Sequence, residues 1–273
     1  MASAMARRLA NKRCLIVGGT TGLGLAAARR FLEEGARLVV AGRSADSGAA
    51  AQAALAALGP VAYVPCDAAQ ADQVERLFAA AVAFLGGLDV LYHVAGISGR
   101  RHGDGPLHEC TDEGWQATLD ANLTSTFRTN RAALRHFLAR GQGGVILNMA
   151  SVLGWSPSPR HFDTCAYTAT KGGIIALSRL AAARYAPDAI RVNVIAPGLV
   201  DTPMSTRAVG DPAVLHFLQT KQPLGPGPGR PEDCAGAAVF LCGDESRFVT
   251  GAVLPVDGGW CVSEGQYQTK DEG

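Results

Sequence analysis

The sequence predicts an α/β protein, in which a doubly wound parallel sheet of about seven strands carries helices on both faces. Apolar runs of strand length alternate along the chain with longer segments of helical pattern. Several of these runs are rich in Val, Ile and Leu and show little polar alternation, which is typical of strands covered on both faces. No shift in composition divides the chain, so we expect a single domain over residues 1–273, with its core at about 10–262 and a polar tail at 263–273.

Seven apolar runs are predicted to be the strands: 14–17, 37–41, 61–65, 89–93, 145–149, 191–195 and 253–256. The helical patterns between them cover 23–34, 46–58, 70–85, 112–138, 163–185 and 231–242. Some helix ends have local signals, because Pro231 can occupy a first helical position and Gly35 follows the first helix. A closed eight-stranded barrel is the alternative, and the count of about seven strands favours the open sheet.

Composition excludes several classes of protein. The chain has 25 basic and 24 acidic side chains, and this near-balance argues against a nucleic-acid binder that relies on bulk charge. A hydrophobic content of 48% with 18% charged residues excludes disorder for the bulk of the chain. No stretch approaches the ~18 uninterrupted apolar residues of a membrane span, so we expect no membrane partner.

The cysteines, the histidines and the N-terminus bear on the compartment and on metals. Seven cysteines at wide spacings, without a C-x-x-C pair, favour reduced thiols over a disulfide framework or a thiolate zinc site. The histidines show neither H-x-x-x-H nor H-E-x-x-H spacing, so no metal is expected. Residues 1–13 lack the apolar core of a secretory signal. We therefore expect a cytoplasmic protein.

A glycine-rich turn joins the first predicted strand to the first predicted helix. Its spacing is G-x-x-x-G-x-G, and its candidate contacts are Gly18, Thr20, Thr21, Gly22, Leu23 and Gly24. Glycines let a backbone approach a pyrophosphate closely, and a helix N-terminus offers free N–H groups and the positive end of its dipole. The turn therefore predicts a binding site for the phosphates of a dinucleotide.

A tyrosine and a lysine lie four residues apart, at Tyr167 and Lys171, and none of the other tyrosines has a lysine at that offset. In a helix the two positions share a face. An ammonium beside a phenol favours the phenolate, so we expect the pKa of Tyr167 to fall from about 10 toward the working pH. Such a tyrosine can exchange a proton with a carbonyl or an alcohol while hydride moves to or from a nicotinamide. For the pair alone, the alternative is an ordinary amphipathic helix face.

The glycine spacing, the tyrosine–lysine pair and further motifs resemble the short-chain dehydrogenase/reductase family. The resemblance covers about residues 10 to 262 and includes the segments 95–96, 191–202, 229–233 and 256–259. The chain departs from the family pattern at Val17, where a threonine is usual, and at His93 and Val94, where asparagines are usual. The resemblance implies a Rossmann fold and an NAD(P)-dependent oxidoreductase acting on a carbonyl or a secondary alcohol. The alternative is a catalytically silent dinucleotide-binding regulator or scaffold, which would usually have lost the tyrosine or the lysine.

The resemblance implies four catalytic residues. Tyr167 would donate or accept the proton, and Lys171 would lower its pKa and hold the ribose of the nicotinamide half. Ser151, at the end of the fifth predicted strand, would hydrogen-bond the substrate oxygen. Asn122 matches the asparagine that kinks a central helix and supports a proton relay. The stretch from Ser151 to Tyr167 is longer than usual in the family, and we expect the excess to bulge at the mouth of the substrate pocket.

The end of the second predicted strand bears on the choice between NAD and NADP. Gly42 stands where an acidic residue would hold the ribose of NAD, and Arg43 with Ser44 could pair with the extra phosphate of NADP. We therefore expect NADP(H) in preference to NAD(H), although a solvated loop arginine is the alternative for Arg43. By resemblance, Asp67 would contact the adenine. The remaining cofactor contacts implied by the family pattern are Ala68, Ala95, Gly96, Tyr167, Lys171, Pro197, Gly198, Val200 and Thr202.

The sequence leaves the small-molecule substrate open. Three variable segments, 98–109, 152–164 and 203–221, would border the pocket, and the third has the pattern of a helical lid. Arg100 and Arg101 in the first segment could favour an anionic substrate or could be solvated loop charges. Steroids, sugars, acyl thioesters and small ketones all fit. The family resemblance further implies a homo-oligomer, a tetramer or a dimer, built on the long central helices.

Overall fold

A computed structural model describes residues 7–225 and 227–264 and contains one parallel sheet. Its strands are β1 (Arg13–Val17), β2 (Arg37–Gly42), β3 (Val61–Pro65), β4 (Val90–His93), β5 (Gly144–Met149), β6 (Ile190–Pro197) and β7 (Val253–Val256). Their order is β3-β2-β1-β4-β5-β6-β7, with parallel pairing throughout. The strand order reverses between β1 and β4, and ligands of such sheets bind in the crevice outside the carboxyl ends of these strands. The predicted doubly wound α/β fold is confirmed.

Helices cover both faces of the sheet. Within the described ranges they are α1 (Gly22–Glu33), α2 (Ala45–Leu55), α3 (Ala71–Leu85), α4 (Asp112–Leu119), α5 (Ser125–Arg140), α6 (Pro159–Phe162), α7 (Cys165–Tyr185), α8 (Thr206–Val209), α9 (Pro212–Lys221) and α10 (Pro231–Cys242). Alternate residues of β1 serve the two faces, as the pleat requires. Cys14 and Ile16 pack in the core beneath α1 and α10, whereas Leu15 and Val17 pack in the core beneath α3, α5 and α7.

The helix predicted at 112–138 is divided in the structure. A π-helical turn, Asp120–Thr124, separates α4 from α5. Such turns contain an extra residue and are frequent at functional sites. Fully buried Asn122 lies in the turn, and its side-chain amide bonds the backbone of Ile97. The interruption is therefore supported by a contact with a distant part of the chain, which helical periodicity does not reveal.

Two segments that border the carboxyl ends of β5 and β6 contain short helices. The longer stretch after Ser151, 152–164, contains a 3₁₀ turn, Val152–Gly154, and α6. The segment predicted as a helical lid, 203–221, contains α8 and α9. In the part of the chain that the structure describes, no helix has both the length and the apolar character needed to cross a bilayer. From residue 265 onward, the predicted tail lies outside the described residues.

Buried polar side chains tie the central strands to the helices. At the end of β4, His93 Nδ1 lies 2.9 Å from Thr129 Oγ1 and its Nε2 lies 3.3 Å from Ser125 Oγ. Burial lowers the pKa of His93 to about 3, so the imidazole is neutral. On β5, Asn148 makes a comparable link to α5 and α7. The histidine that replaces the usual asparagine thus holds β4 to α5 through two hydroxyl groups.

Candidate active site

Two adjoining cavities open at the carboxyl ends of the strands. The larger, about 640 Å³, extends from the turn after β1 to the ends of β2 and β3, and we name it the glycine groove. The smaller, about 300 Å³, lies over the ends of β5 and β6 and contains Tyr167, and we name it the tyrosine cavity. Gly96 and Thr202 line both, so one ligand could extend from the groove into the cavity.

The turn after β1 requires glycine where it approaches its neighbours. Gly18 has a φ of +88°, and a Cβ atom there would lie 2.6 Å from the backbone nitrogen of Ala95. A Cβ atom on Gly24 would lie 2.0 Å from the carbonyl oxygen of Gly18. The side chain of Thr21, which precedes α1, does not cap the helix, so the first N–H groups of α1 keep no acceptor from it. This end of the groove therefore fits the pyrophosphate of a dinucleotide.

The glycine groove brings together most of the predicted cofactor contacts. Its lining includes Gly18, Thr20, Thr21, Gly22, Leu23, Gly24, Arg43, Ser44, Asp67, Ala68, Ala95, Gly96 and Thr202. Arg43 is exposed at the far end, and Ser44 beside it caps α2 by accepting a hydrogen bond from the Ser47 N–H at 3.3 Å. Asp67 accepts from the Ala69 N–H at 3.0 Å and thereby shapes the loop after β3. Ser47 and Ala69 also line the groove, and no motif in the sequence singles them out.

Three of the four predicted catalytic residues line the tyrosine cavity. Ser151 follows β5, and its Oγ accepts a hydrogen bond from the Leu153 N–H at 3.2 Å. Tyr167 and Lys171 border the cavity from the first two turns of α7. The Lys171 side chain is buried, with 4% exposure, and its Nζ donates to the carbonyl oxygen of Met149 at 3.0 Å. The cavity also contains the predicted cofactor contacts Pro197, Gly198, Val200 and Thr202.

Burial controls the acid–base properties of Tyr167 and Lys171. It lowers the pKa of Lys171 from 10.5 to about 8. It raises the pKa of Tyr167 above the ordinary value of 10.0, and a hydrogen bond with Ser151 offsets part of this rise. The expectation that Lys171 lowers the pKa of Tyr167 is wrong in this structure. The ammonium bonds the Met149 carbonyl and lies 5.4 Å from the centre of the phenol ring, too far to outweigh desolvation.

Asn122 lies behind the wall of the tyrosine cavity and lines neither cavity. Its Oδ1 accepts from the Ile97 N–H at 2.8 Å, and its Nδ2 donates to the Ile97 carbonyl and to Thr170 Oγ1, both at 3.1 Å. Thr170 donates in turn to the carbonyl oxygen of Tyr167 at 2.7 Å. The asparagine therefore joins the π-helical turn, the segment after β4 and the helix that carries the tyrosine.

Asp104 fixes the start of α7 and is a residue that the sequence does not point to. Its two carboxylate oxygens accept from the backbone N–H groups of Ala166 and Tyr167 at 3.0 and 2.9 Å. A carboxylate at a helix N-terminus is stabilising, and this one comes from a loop distant in the chain. Among the described residues, the Asp104 carboxylate and the thiols of Cys110 and Cys165 also form a group of potential metal ligands, within 4.8 Å of one another.

The remaining walls of the tyrosine cavity are apolar and basic. Its larger apolar residues include Val152, Leu153, Phe162, Leu199, Met204 and Trp260. Its arginines are Arg100, Arg101 and Arg207. The three segments predicted to border the pocket, 98–109, 152–164 and 203–221, all contribute to it. Trp260 lies just beyond the last recognisable motif of the chain and is not predicted, although its indole packs edge-on against Phe217 with 5.6 Å between ring centroids.

Comparisons with known proteins agree on the family. The family model described as "Enoyl-(Acyl carrier protein) reductase" matches residues 17–261. The chain is 38% identical over 259 residues to 3beta-hydroxysteroid dehydrogenase 1 of Eggerthella lenta, covering 94% of this chain and 96% of that protein. It is 37% identical over 259 residues to the 2,5-dichloro-2,5-cyclohexadiene-1,4-diol dehydrogenase of Sphingobium indicum, covering 94% and 99%.

The same agreement extends to three dimensions. A solved short-chain type dehydrogenase/reductase from Mycobacterium ulcerans has a TM-score of 0.85 to this structure at 30% identity, covering 93% of this chain and 91% of that one. The relatives above are named as dehydrogenases of hydroxyl groups. Similarity over nearly the full chain, together with the shared fold, shows that this protein belongs to the short-chain dehydrogenase/reductase family and is an NAD(P)-dependent oxidoreductase.

Proposed function

We propose that this oxidoreductase interconverts a secondary alcohol and a ketone on an alicyclic ring, with Tyr167 as its acid–base residue. The proposal rests on one observation: Ser151, Tyr167 and Lys171 meet on one wall of a cavity that adjoins the glycine groove. The large apolar side chains that line the same cavity suit the face of a ring. A ring also carries the hydroxyl group in the two named relatives, a steroid dehydrogenase and a cyclohexadiene-diol dehydrogenase.

The geometry supports a direct proton transfer at Tyr167. A nicotinamide bound along the glycine groove supplies or accepts the hydride. In the direction of reduction, Tyr167 donates its phenolic proton to the carbonyl oxygen, and the Ser151 hydroxyl donates a hydrogen bond to the same oxygen. Burial keeps the pKa of Tyr167 high, so the phenol is protonated and able to donate at neutral pH. In the direction of oxidation, the Tyr167 phenol must first lose its proton, and the phenolate then accepts the proton of the alcohol.

Other roles in the site are to position the cofactor and the tyrosine. Lys171, with a pKa of about 8, carries its charge at neutral pH and would donate to the ribose of the nicotinamide half. Asn122 bonds Thr170, which in turn bonds the Tyr167 carbonyl. Asp104 bonds the N-terminus of α7. Both residues therefore position the tyrosine without contacting the reacting atoms. We regard these two as positioning residues.

The far end of the glycine groove favours NADP(H) over NAD(H). Gly42 places no carboxylate there that would repel a phosphate, and the exposed Arg43 has no acidic partner among the described residues. A guanidinium and a phosphate form a strong, charge-assisted pair. Ser44 adds a hydroxyl group beside it. We therefore infer that Arg43 recognises the additional phosphate of NADP(H).

The exposed faces of α5 and α7 favour a homo-oligomer. Phe127 and Leu138 on α5 are 44% and 43% exposed, and Leu180 on α7 is 69% exposed. Large apolar side chains left exposed on helices are a feature of interaction surfaces. We infer that copies of this chain pair through these helices, as a tetramer or a dimer. The free cysteines of the described residues fit a reducing cytoplasm as the place of action.

The substitution Tyr167→Phe tests the proposed chemistry. It removes the proton donor and keeps the ring, so we expect cofactor affinity to stay within about twofold and turnover of alicyclic ketones to fall by about 10²–10⁴. Absorbance of the reduced nicotinamide measures turnover, and its fluorescence measures binding. Tyr185→Phe, at the other end of α7, is the matched control and should retain turnover. Near-normal turnover by Tyr167→Phe would refute the assignment, whereas a wild-type protein that binds cofactor and converts no ketone would support the silent regulator.

A further inference from the structure

The tyrosine cavity carries more positive charge than the proposed reaction needs. Its charged lining residues are Arg100, Arg101, Lys171 and Arg207. No aspartate or glutamate of the described residues lines it. Lys171 belongs to the reacting group described above, but the three arginines have no part in the proton transfer. A neutral ring substrate would leave these guanidinium groups without a partner in the cavity.

Arg100 is the best placed of the three to meet a ligand. It is half-buried, and no described carboxylate lies within ion-pairing distance of its guanidinium. Burial lowers its pKa and the nearby Arg207 lowers it further, while Asp104 and Asp163 act in the opposite direction. Asp104 cannot turn to meet it, because both of its carboxylate oxygens accept hydrogen bonds from α7. Arg100 and Arg207 carry like charges and line the same small cavity, so an anion between them would relieve their repulsion.

The loop that carries Arg100 is bonded to the helix that carries Tyr167. A 3₁₀ turn, Arg100–His102, leads directly into Asp104, which holds the first N–H groups of α7. The next residue, Gly105, accepts a further hydrogen bond from the Cys165 N–H at 3.0 Å. The position of Arg100 relative to the tyrosine is therefore set before a ligand arrives, which reduces the entropic cost of binding.

Arg207 lines the cavity from a different part of the chain. It lies on α8 in the lid segment, and its Nη2 donates to the carbonyl oxygen of His161 on α6 at 3.3 Å. This bond joins the lid to the segment that follows Ser151. The two arginines thus come from separate loops, one after β4 and one after β6, and both line the same small cavity.

We propose that Arg100 and Arg207 form an anion subsite, and that the substrate is an alicyclic ketone or alcohol with a carboxylate remote from the reacting carbon. This proposal rests on the proposed function, since Ser151 and Tyr167 would hold the other end of the same molecule. The planar guanidinium group matches a carboxylate with two parallel hydrogen bonds. Arg101, exposed on the same turn as Arg100, raises the positive potential that draws anions to the mouth.

Binding of unreactive acids tests the subsite without any turnover. Isothermal titration calorimetry of the full chain, saturated with the oxidised cofactor it binds best, would compare cyclohexanecarboxylate and adamantane-1-carboxylate with their neutral amides. We expect at least one acid to bind about tenfold more tightly than its amide. Arg100→Gln and Arg207→Gln should each reduce that preference to about twofold or less. Arg160→Gln, an exposed arginine of α6 that does not line the cavity, should keep it.

Two outcomes would overturn the subsite. In one, neither acid binds more tightly than its amide; in the other, the preference survives both glutamine substitutions. An acid that displaces the bound oxidised cofactor would place the anion in the glycine groove and would also contradict the proposal. The Tyr167→Phe assay is separate, because a wild-type protein that shows no acid preference but loses ketone turnover on Tyr167→Phe substitution refutes the subsite alone. Conversely, a retained preference in a protein whose Tyr167→Phe variant is fully active refutes the proposed function alone.

Discussion

The protonation states of single side chains in this protein depend on how far each is buried away from water as much as on neighbouring charges. Tyr167 and Lys171 share a helix face, yet burial raises the pKa of the phenol and lowers that of the ammonium. Both shifts favour the neutral form of each group, as desolvation requires. His93 shows the same effect, because burial makes it a neutral link between strand and helix. Arg43 is the contrasting case, since it lies exposed where a solvated ligand phosphate can reach it.

Replacement of Arg43 tests the cofactor preference. We expect wild-type protein to bind NADPH more tightly than NADH, and Arg43→Ala to reduce the ratio of the two affinities by about 10- to 100-fold, because a charge-assisted contact is lost. Titration of nicotinamide fluorescence measures both affinities. Arg29→Ala, an exposed arginine of α1 outside the groove, is the control. Tighter binding of NADH by the wild-type protein would refute the role given to Arg43 and leave the enzyme assignment intact.

The carboxylate of Asp89 links the start of β4 to β1 and to the end of α5. Asp89 precedes β4 and accepts from the Arg13 backbone N–H at 3.0 Å and from its Nε at 2.8 Å. It also accepts from Arg140 Nη2, at the end of α5, at 3.0 Å. Burial alone would raise the pKa of Asp89, but the hydrogen bonds from Arg13 and Arg140 outweigh it and lower the pKa from 3.8 to about 2.

The pH dependence of stability should report on this junction. Because the folded pKa of Asp89 lies below the unfolded value, its contribution is fully present above about pH 4 and is lost as the pH falls through about 2. Asp89→Asn should therefore lower the free energy of unfolding at pH 7 by about 2 kcal/mol, with a smaller difference at pH 3. Urea unfolding at both pH values measures this difference in the free energy of unfolding.

Asp72→Asn, which removes an exposed ion pair with Arg76, is the control and should change the free energy of unfolding by less than about 0.5 kcal/mol. An Asp89→Asn variant as stable as wild type at pH 7 would show that the junction contributes nothing.

The molecule as a whole leaves large apolar side chains exposed on α5 and α7, and a second copy would cover this surface. If it does, Leu180→Arg should place an unpaired charge in the interface and shift the protein to a smaller species. Size-exclusion chromatography with light scattering measures the mass. Leu107→Arg, in an exposed loop elsewhere, is the control for a charge added to an exposed leucine. An unchanged mass for Leu180→Arg, or a wild-type monomer, would exclude this surface as the interface.

The sequence by itself determined the seven strands, the main helices and the glycine turn, because each depends on periodicity or on residues that are neighbours in the chain. It also pointed to Ser151, Tyr167 and Lys171, which lie at the ends of elements that a parallel sheet brings to one edge. Only the tertiary structure decided the π-helical turn at Asn122, the bonds from Asp104 to α7 and the presence of Arg100 and Arg207 in one cavity. These depend on contacts between distant segments and on the loss of water around charged groups, and neither leaves a local pattern in the chain.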